Sequence, residues 1–218
     1  MILAGAFADA FNFIPSHSTL LLQKSLETAE LAFTALGIAL VLALPVGVWL
    51  GHRHRGLFTA LAVSTLGRSL PIIVLLGLGI AVLGVGFWNL VVALVVVGIP
   101  SILISGYLAV DGVDRDAVEA ARGMGLTEGQ ILRRVELPLG LPLVLAGVRI
   151  AAVFVIATAT FAGFFGGGGL GDIIARQVKY GLGGTLAAAM FAAALALVAA
   201  AALGLAQLAA SRRMAQRT

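Results

Sequence analysis

Ten charged side chains crowd into the stretch from Asp111 to Pro142, DGVDRDAVEAARGMGLTEGQILRRVELPLGLP, of a chain that is otherwise apolar. Their spacing predicts a pair of short helices. Asp114 suits an N-cap, Asp116 and Glu119 lie in the first turns where the helix dipole favours acids, and Gly123 and Gly125 end the helix. Thr127-Glu128-Gly129-Gln130 then has the form of a capping box, and the second helix is expected to stop at Leu137-Pro138. Small residues at 120, 121, 123 and 125 would let another protein approach the backbone closely, with Met124, Leu126, Ile131 and Leu132 as an apolar anchor. A merely solvated loop would account for the charges but not for this ordered series of caps, small residues and proline.

Other chemistries find little support. The chain has no cysteine, and its three histidines, at 17, 52 and 54, fall outside the apolar runs without metal-ligand spacing. The apolar runs supply serines at 64, 69, 101 and 105 but no histidine to act as base, which argues against intramembrane hydrolysis. Gly166 to Gly171 satisfies G-x-G-x-x-G, but it follows an apolar span rather than a strand. It reads instead as a flexible re-entrant or extracellular turn whose missing side chains let backbones pack or the loop meet a binding protein. No cofactor or metal site is expected.

The elements that must position the hairpin are membrane helices. With 61% hydrophobic and 11% charged residues among 218, the chain reads as an all-α membrane protein of about five transmembrane helices. The first 22 residues lack the basic start of a signal peptide, and residues 1–28 read as an exposed extracytoplasmic segment. A permease-sized membrane domain then occupies 29–209, with the hairpin at 111–140 and a basic tail at 210–218. Its spans are Ala29 to Leu50, a run from Leu57 to Leu83 broken at Pro71, Trp88 to Leu108, Leu143 to Phe165, and Leu186 to Leu208. Small-xxx-small pairs, Gly47/Gly51 and Gly163/Gly167, mark sites for close helix contact.

This arrangement gathers the basic residues at 53, 55, 68, 115, 122, 133, 134, 212, 213 and 217 on one side, leaving Lys24, Arg176 and Lys179 on the other. The bias places the hairpin and C-terminus in the cytoplasm and the N-terminus outside, in the cell (inner) membrane. It explains the net charge of +4 without nucleic acid. Arg149 alone falls inside a span, either snorkelling to the interface or held in an ion pair. All ten acids lie at span ends or in loops, so a proton- or sodium-driven carrier is disfavoured and the energy source is expected on another chain.

Glu119-Ala120-Ala121, then Gly125, then Val135-Glu136-Leu137-Pro138 resembles the EAA motif of type I ABC-importer permeases, with Val135 in place of the usual isoleucine. The resemblance implies that Glu119, Ala120, Ala121, Arg122, Gly123, Met124, Gly125, Leu126, Leu137 and Pro138 form a coupling surface for a separate ATP-binding subunit. It also implies two copies of that subunit, a second permease forming a homo- or heterodimer, an extracytoplasmic substrate-binding protein, and surrounding membrane lipid. The chain itself carries no Walker A pattern and is not expected to hydrolyse ATP.

Within 117–172, Gly123-Met124-Gly125, Arg134 to Leu139, Ala157-Thr158-Ala159-Thr160 and Gly167 to Asp172 are similar to osmoprotectant permeases, which carry glycine betaine, choline or carnitine. Methionine permeases share the region around Arg68-Ser69-Leu70-Pro71 and a similar glycine loop, and remain the alternative. Pro71, Phe161, Phe164, Phe165, Gly167 and Gly169 are candidates for the pathway or gate. Phe154, Phe161, Phe164 and Phe165 could contribute cation–π contacts to a quaternary amine, although aromatics there more often serve packing or the membrane interface. A passive channel or scaffold with the hairpin as an adaptor site is the reading from another class.

Overall fold

Apolar runs of this length leave the backbone one solution in hydrocarbon, the helix, which satisfies its own N–H and C=O groups. The computed structural model describes residues 2–69 and 71–215, with side chains for all of these except 2–4, 68 and 213–215, and contains no strand among them. Arg68, Arg213 and Arg217, counted above on the basic side, therefore lie outside the described side chains.

The order is α1 (Ile2–Ser16), α2 (Ser18–His52), α3 (Leu57–Ser69), α4 (Ile72–Leu83), α5 (Phe87–Asp111), α6 (Arg115–Gly123) and α7 (Glu128–Ile131). A π-helical turn at Leu132–Glu136 leads into α8 (Leu137–Ala159), a 3-10 turn at Thr160–Phe165, α9 (Gly169–Ala175) and α10 (Gln177–Ala215). Four helical runs among the described residues are long and apolar enough to cross a membrane: α2, α5, Glu128–Phe165 and α10. The count is five when α3 and α4 are taken as one broken span. The break falls where proline dictates it: Pro71 is extended (φ −61°, ψ 125°) and stands just before α4.

Three boundaries differ from expectation. The first span begins at Ser18 rather than Ala29, in a helix of 35 residues, about 52 Å long and well beyond a hydrocarbon core of about 30 Å. The N-terminal segment is accordingly not a simple exposed arm, since Ala10 and Leu21 are fully buried. The hairpin's second helix does not stop at Leu137-Pro138 but runs on through the π turn into α8. Pro138 has no N–H to give the carbonyl four residues back, and Leu137 N donates instead to Leu132 O, five residues back. Finally, the last helix starts at Gln177, with Gly181 in a non-helical conformation (φ 69°, ψ 178°) before the apolar run.

Described residues of 1–37, 70–97 and 152–199 form one compact unit, and those of 38–69, 98–151 and 200–218 a second. The first is built on Ala10, Leu21, Leu170, Ile173, Ala187 and Ala188, with Phe13, Tyr180 and Phe191 packed on them. Where lipid is as apolar as leucine, such alanine stripes matter because they let helices approach and gain van der Waals contact. The second unit packs Ala109, Val144 and Val148 with Leu40, Leu44 and Leu203. In it Gly47 and Gly51 lie directly on the α5 backbone at Leu103 and Tyr107, so close that a Cβ at either would strike a carbonyl oxygen.

Candidate functional site

The hairpin has a core of its own. Val118 and Ala121 on α6 and Ile131 on α7 are buried together, with Val113, Leu126 and Val135 partly buried around them. This follows from the helical spacing of 118 and 121, which share a face. Ile131 and Leu126 therefore point largely into the hairpin, and of the expected apolar anchor only Met124 stands out fully, 74% exposed. Glu119, Ala120, Arg122, Gly123 and Gly125 are exposed beside it, while Leu137 and Pro138 are half-buried at the root of α8.

Local geometry explains the shape. The Asp116 N–H donates to Asp114 Oδ1 at 3.0 Å, capping α6. Gly125 takes φ +83°, a left-handed value that reverses the chain, with open space where a Cβ would stand. The Thr127 N–H donates to Gln130 Oε1 at 2.9 Å, the return bond of the expected capping box. Across the turn, Arg122 Nε donates to Glu128 Oε1 at 3.0 Å and Nη2 to Oε2 at 3.2 Å. Hydrogen bonding to that carboxylate raises the Arg122 pKa above its ordinary value.

A second set of bonds, which no local pattern announces, fastens the hairpin at its base. His52 Nδ1–H donates to Glu136 Oε2 at 2.6 Å, and Glu136 is only 1% exposed. His52 Nε2 lies 3.7 Å from Glu128 Oε2. His54 Nδ1–H donates to Asp111 Oδ1 at 2.8 Å. The tetrapeptide His52-Arg53-His54-Arg55 is thus more than a topological charge cluster, because its two histidines clamp the carboxylates that flank the hairpin. Among the described residues no group of three or more His, Cys, Asp or Glu is placed to hold a metal ion.

The glycine-rich loop lies in the other unit and is tied down rather than free. Gly166, Gly168 and Gly169 have positive φ, at 77°, 69° and 68°. Gly163 and Gly171 bring the 3-10 turn and α9 into backbone contact. The N–H groups of Gly169 and Leu170 donate to Glu27 Oε2 and Thr28 Oγ1, each at 2.9 Å. Glu27 is itself held by Lys24 Nζ at 2.7 Å, and Asp172 by Arg176 Nε at 2.9 Å. From the sequence, Glu27 is only one of the acids at span ends, and Thr28 carries no signal of a role. Their partners stand 142 positions away, and no local pattern announces them.

Of the pathway candidates, Pro71 is exposed, Gly167 and Phe165 are half-buried, and Gly169 is buried. Phe161 and Phe164 are 41% and 57% exposed, with ring centroids 6.4 Å apart. Phe154 is exposed on α8.

An all-helical membrane domain with a capped, charged hairpin between its spans defines a permease subunit of an ABC importer. The chain belongs to the family described as binding-protein-dependent transport system inner membrane component, whose model matches residues 35–216. It is thus a multi-pass inner-membrane protein whose family works with an ATP-binding subunit and a substrate-binding protein.

Among its relatives is the choline transport system permease protein OpuBB of Bacillus subtilis, 34% identical over 179 residues, covering 80% of this chain and 82% of that one. The glycine betaine/carnitine/choline permease OpuCB of the same organism is 32% identical with the same coverage. The carnitine permease OpuCB of Listeria monocytogenes is 32% identical over 74% of each chain. Among solved structures, the inward-facing MetNI methionine ABC transporter matches with a TM-score of 0.79 and 26% identity, over 89% of this chain and 98% of that one.

Proposed function

We propose that this chain carries quaternary-amine osmoprotectants such as choline, glycine betaine or carnitine, and that its hairpin is the docking surface for the ATP-binding subunit. The observation that carries the docking role is the outward face of the hairpin. Glu119, Ala120, Gly123, Met124 and Gly125 are presented on a turn that needs no partner to hold its shape. The relatives' substrates support the amine class; the likeness to the methionine transporter supports the alternative.

In this reading two permeases, identical or not, span the membrane with 29–209, engage two ATPase subunits through 111–140, and receive substrate from an external binding protein. ATP is hydrolysed on the partner. The N-terminus faces outward, and the tail at 210–218 faces the cytoplasm with the hairpin. Closure of the ATPase pair pushes on Glu119 through Gly125, and the root at Leu137 and Pro138 passes the displacement into α8. Pro71, Phe161, Phe164, Phe165, Gly167 and Gly169 border the pathway, where the exposed Phe161 and Phe164 faces suit a quaternary ammonium group.

The test begins with gentle isolation from the native membrane and identification of what co-purifies. Wild type is expected to retain an ATPase that Glu119→Lys and Gly125→Trp lose while still inserting. Uptake into vesicles then compares labelled choline, glycine betaine and methionine. Accumulation of methionine alone would overturn the amine assignment, and no ATPase on wild type would overturn the docking role in favour of a channel.

A further inference from the structure

Arg149 lies within α8, 12 residues beyond its first residue Leu137, about 18 Å along the axis. Among the described residues no hydrogen bond or ion pair reaches it. Its side chain lies against α10, where a Cβ on Gly204 would stand 3.2 Å from Nη1, so glycine makes the room the guanidinium occupies. There the two helices leave a cavity of about 460 Å³ lined by Arg149, Ala200, Gly204, Leu205, Gln207 and Leu208. Leu205 and Leu208 are 68% and 55% exposed, so one wall of the cavity is open.

A guanidinium beside apolar helices gains from an anion, and none of the described acids pairs with Arg149. The chain's ten acids stand at 9, 27, 30, 111, 114, 116, 119, 128, 136 and 172, all away from the middle of α8 and α10. A second copy of the chain has the same deficiency. The membrane itself supplies the missing class. Helix geometry tilts the Arg149 side chain toward the N-terminal end of α8, beyond which stand the exposed Arg133 and Arg134. Exposed Arg212 follows eight residues after Gly204. A phosphodiester matches the fork of a guanidinium with two parallel hydrogen bonds, and basic pockets between membrane helices take acidic headgroups.

We propose that this groove binds one anionic glycerophospholipid, its phosphate on Arg149, with the Gln207 amide as second donor and an acyl chain along Leu205 and Leu208. The site does not depend on which solute is carried.

The full-length chain, purified in mild detergent and stripped of lipid, would be titrated with phosphatidylglycerol or phosphatidylcholine and read by native mass spectrometry. Wild type is expected to prefer phosphatidylglycerol by about fivefold or more, the weight of one basic residue at an anionic headgroup. Arg149→Gln should bring the preference close to one. Gly204→Leu, which keeps the charge but fills the groove, should do the same and guards against a folding defect in the first variant. Arg53→Gln, outside the groove, should keep the wild-type preference. Unchanged selectivity in both groove variants would overturn the proposal. So would displacement of the lipid by millimolar inorganic phosphate, which would make this a free-anion site. Efficient disulfide crosslinking of Ala200→Cys between copies in the membrane would also overturn it, by showing a protein surface where lipid should lie.

Discussion

Replacing His52 by alanine is expected to destabilise the protein through the carboxylate it abandons. The Glu136 side chain is 2% exposed and His52 15% exposed, with 2.6 Å between Oε2 and Nδ1. Leaving a buried acceptor without its partner costs roughly 1–3 kcal/mol, and losing a hydrogen bond to a carboxylate roughly 1.5–3. Because the Glu136 side chain has almost no access to water, the upper part of that range applies, about 2–3 kcal/mol. For a chain of this size that is a fall of about 5–10 °C in melting temperature. Glu136→Gln keeps an amide oxygen to accept from Nδ1–H and should cost only about 1 kcal/mol.

The distinguishing outcome is the double variant. His52→Ala with Glu136→Gln leaves no charge stranded and should be more stable than His52→Ala alone, an interaction energy of about 1 kcal/mol or more. Thermal unfolding in detergent, followed by hydrogen exchange across 127–137, measures both quantities. Arg122→Ala is the contrast, since it removes an exposed pair and should leave the melting temperature unchanged. Additive losses in the double variant, or no loss in His52→Ala, would refute the reasoning.

Two further outcomes follow from the same structure. Glu27→Gln with Thr28→Val should remove or weaken the two bonds that hold Gly169 and Leu170, costing about 1–3 kcal/mol and accelerating exchange over 166–172 without disturbing the hairpin. Gly51→Leu should prevent the close approach of α2 to Tyr107, costing about 2 kcal/mol or more and lowering the yield of folded protein, whereas Gly37→Leu, with open space around it, should be tolerated.

What could be read in advance was whatever is encoded locally. The Asp114 cap, the Gly125 reversal, the capping box and the Pro71 break each depend on residues within a few positions of one another, and the structure has all four. The paired glycines at 47 and 51 were legible for the same reason, as one face of one helix. The start of α2 was not, because Glu27 and Glu30 looked like the polar end of a span. Glu27 is in fact held by Lys24 and the Gly169 N–H, contacts invisible to any window. Leu137-Pro138 was misread as a helix end because proline's lost bond is absorbed by a wider turn, an outcome that tertiary packing selects. His52 and Glu136 lie 84 positions apart, so a histidine in a basic cluster gave no warning that it would seat a buried acid.

The capping of α9 by Glu27 and Thr28 has a consequence for biogenesis. The donors on Gly169 and Leu170 are made 142 residues after the side chains that receive them, when most of the chain has already left the ribosome. Until then Lys24 and Glu27 can pair with each other three positions apart, which keeps the carboxylate satisfied while it waits. These two bonds can form only when the last third of the protein arrives beside the first, so exchange protection of the loop would report that the two have met. A chain truncated before Gly169 would leave Glu27 and Thr28 as acceptors without the donors they hold, with Lys24 the remaining partner of Glu27.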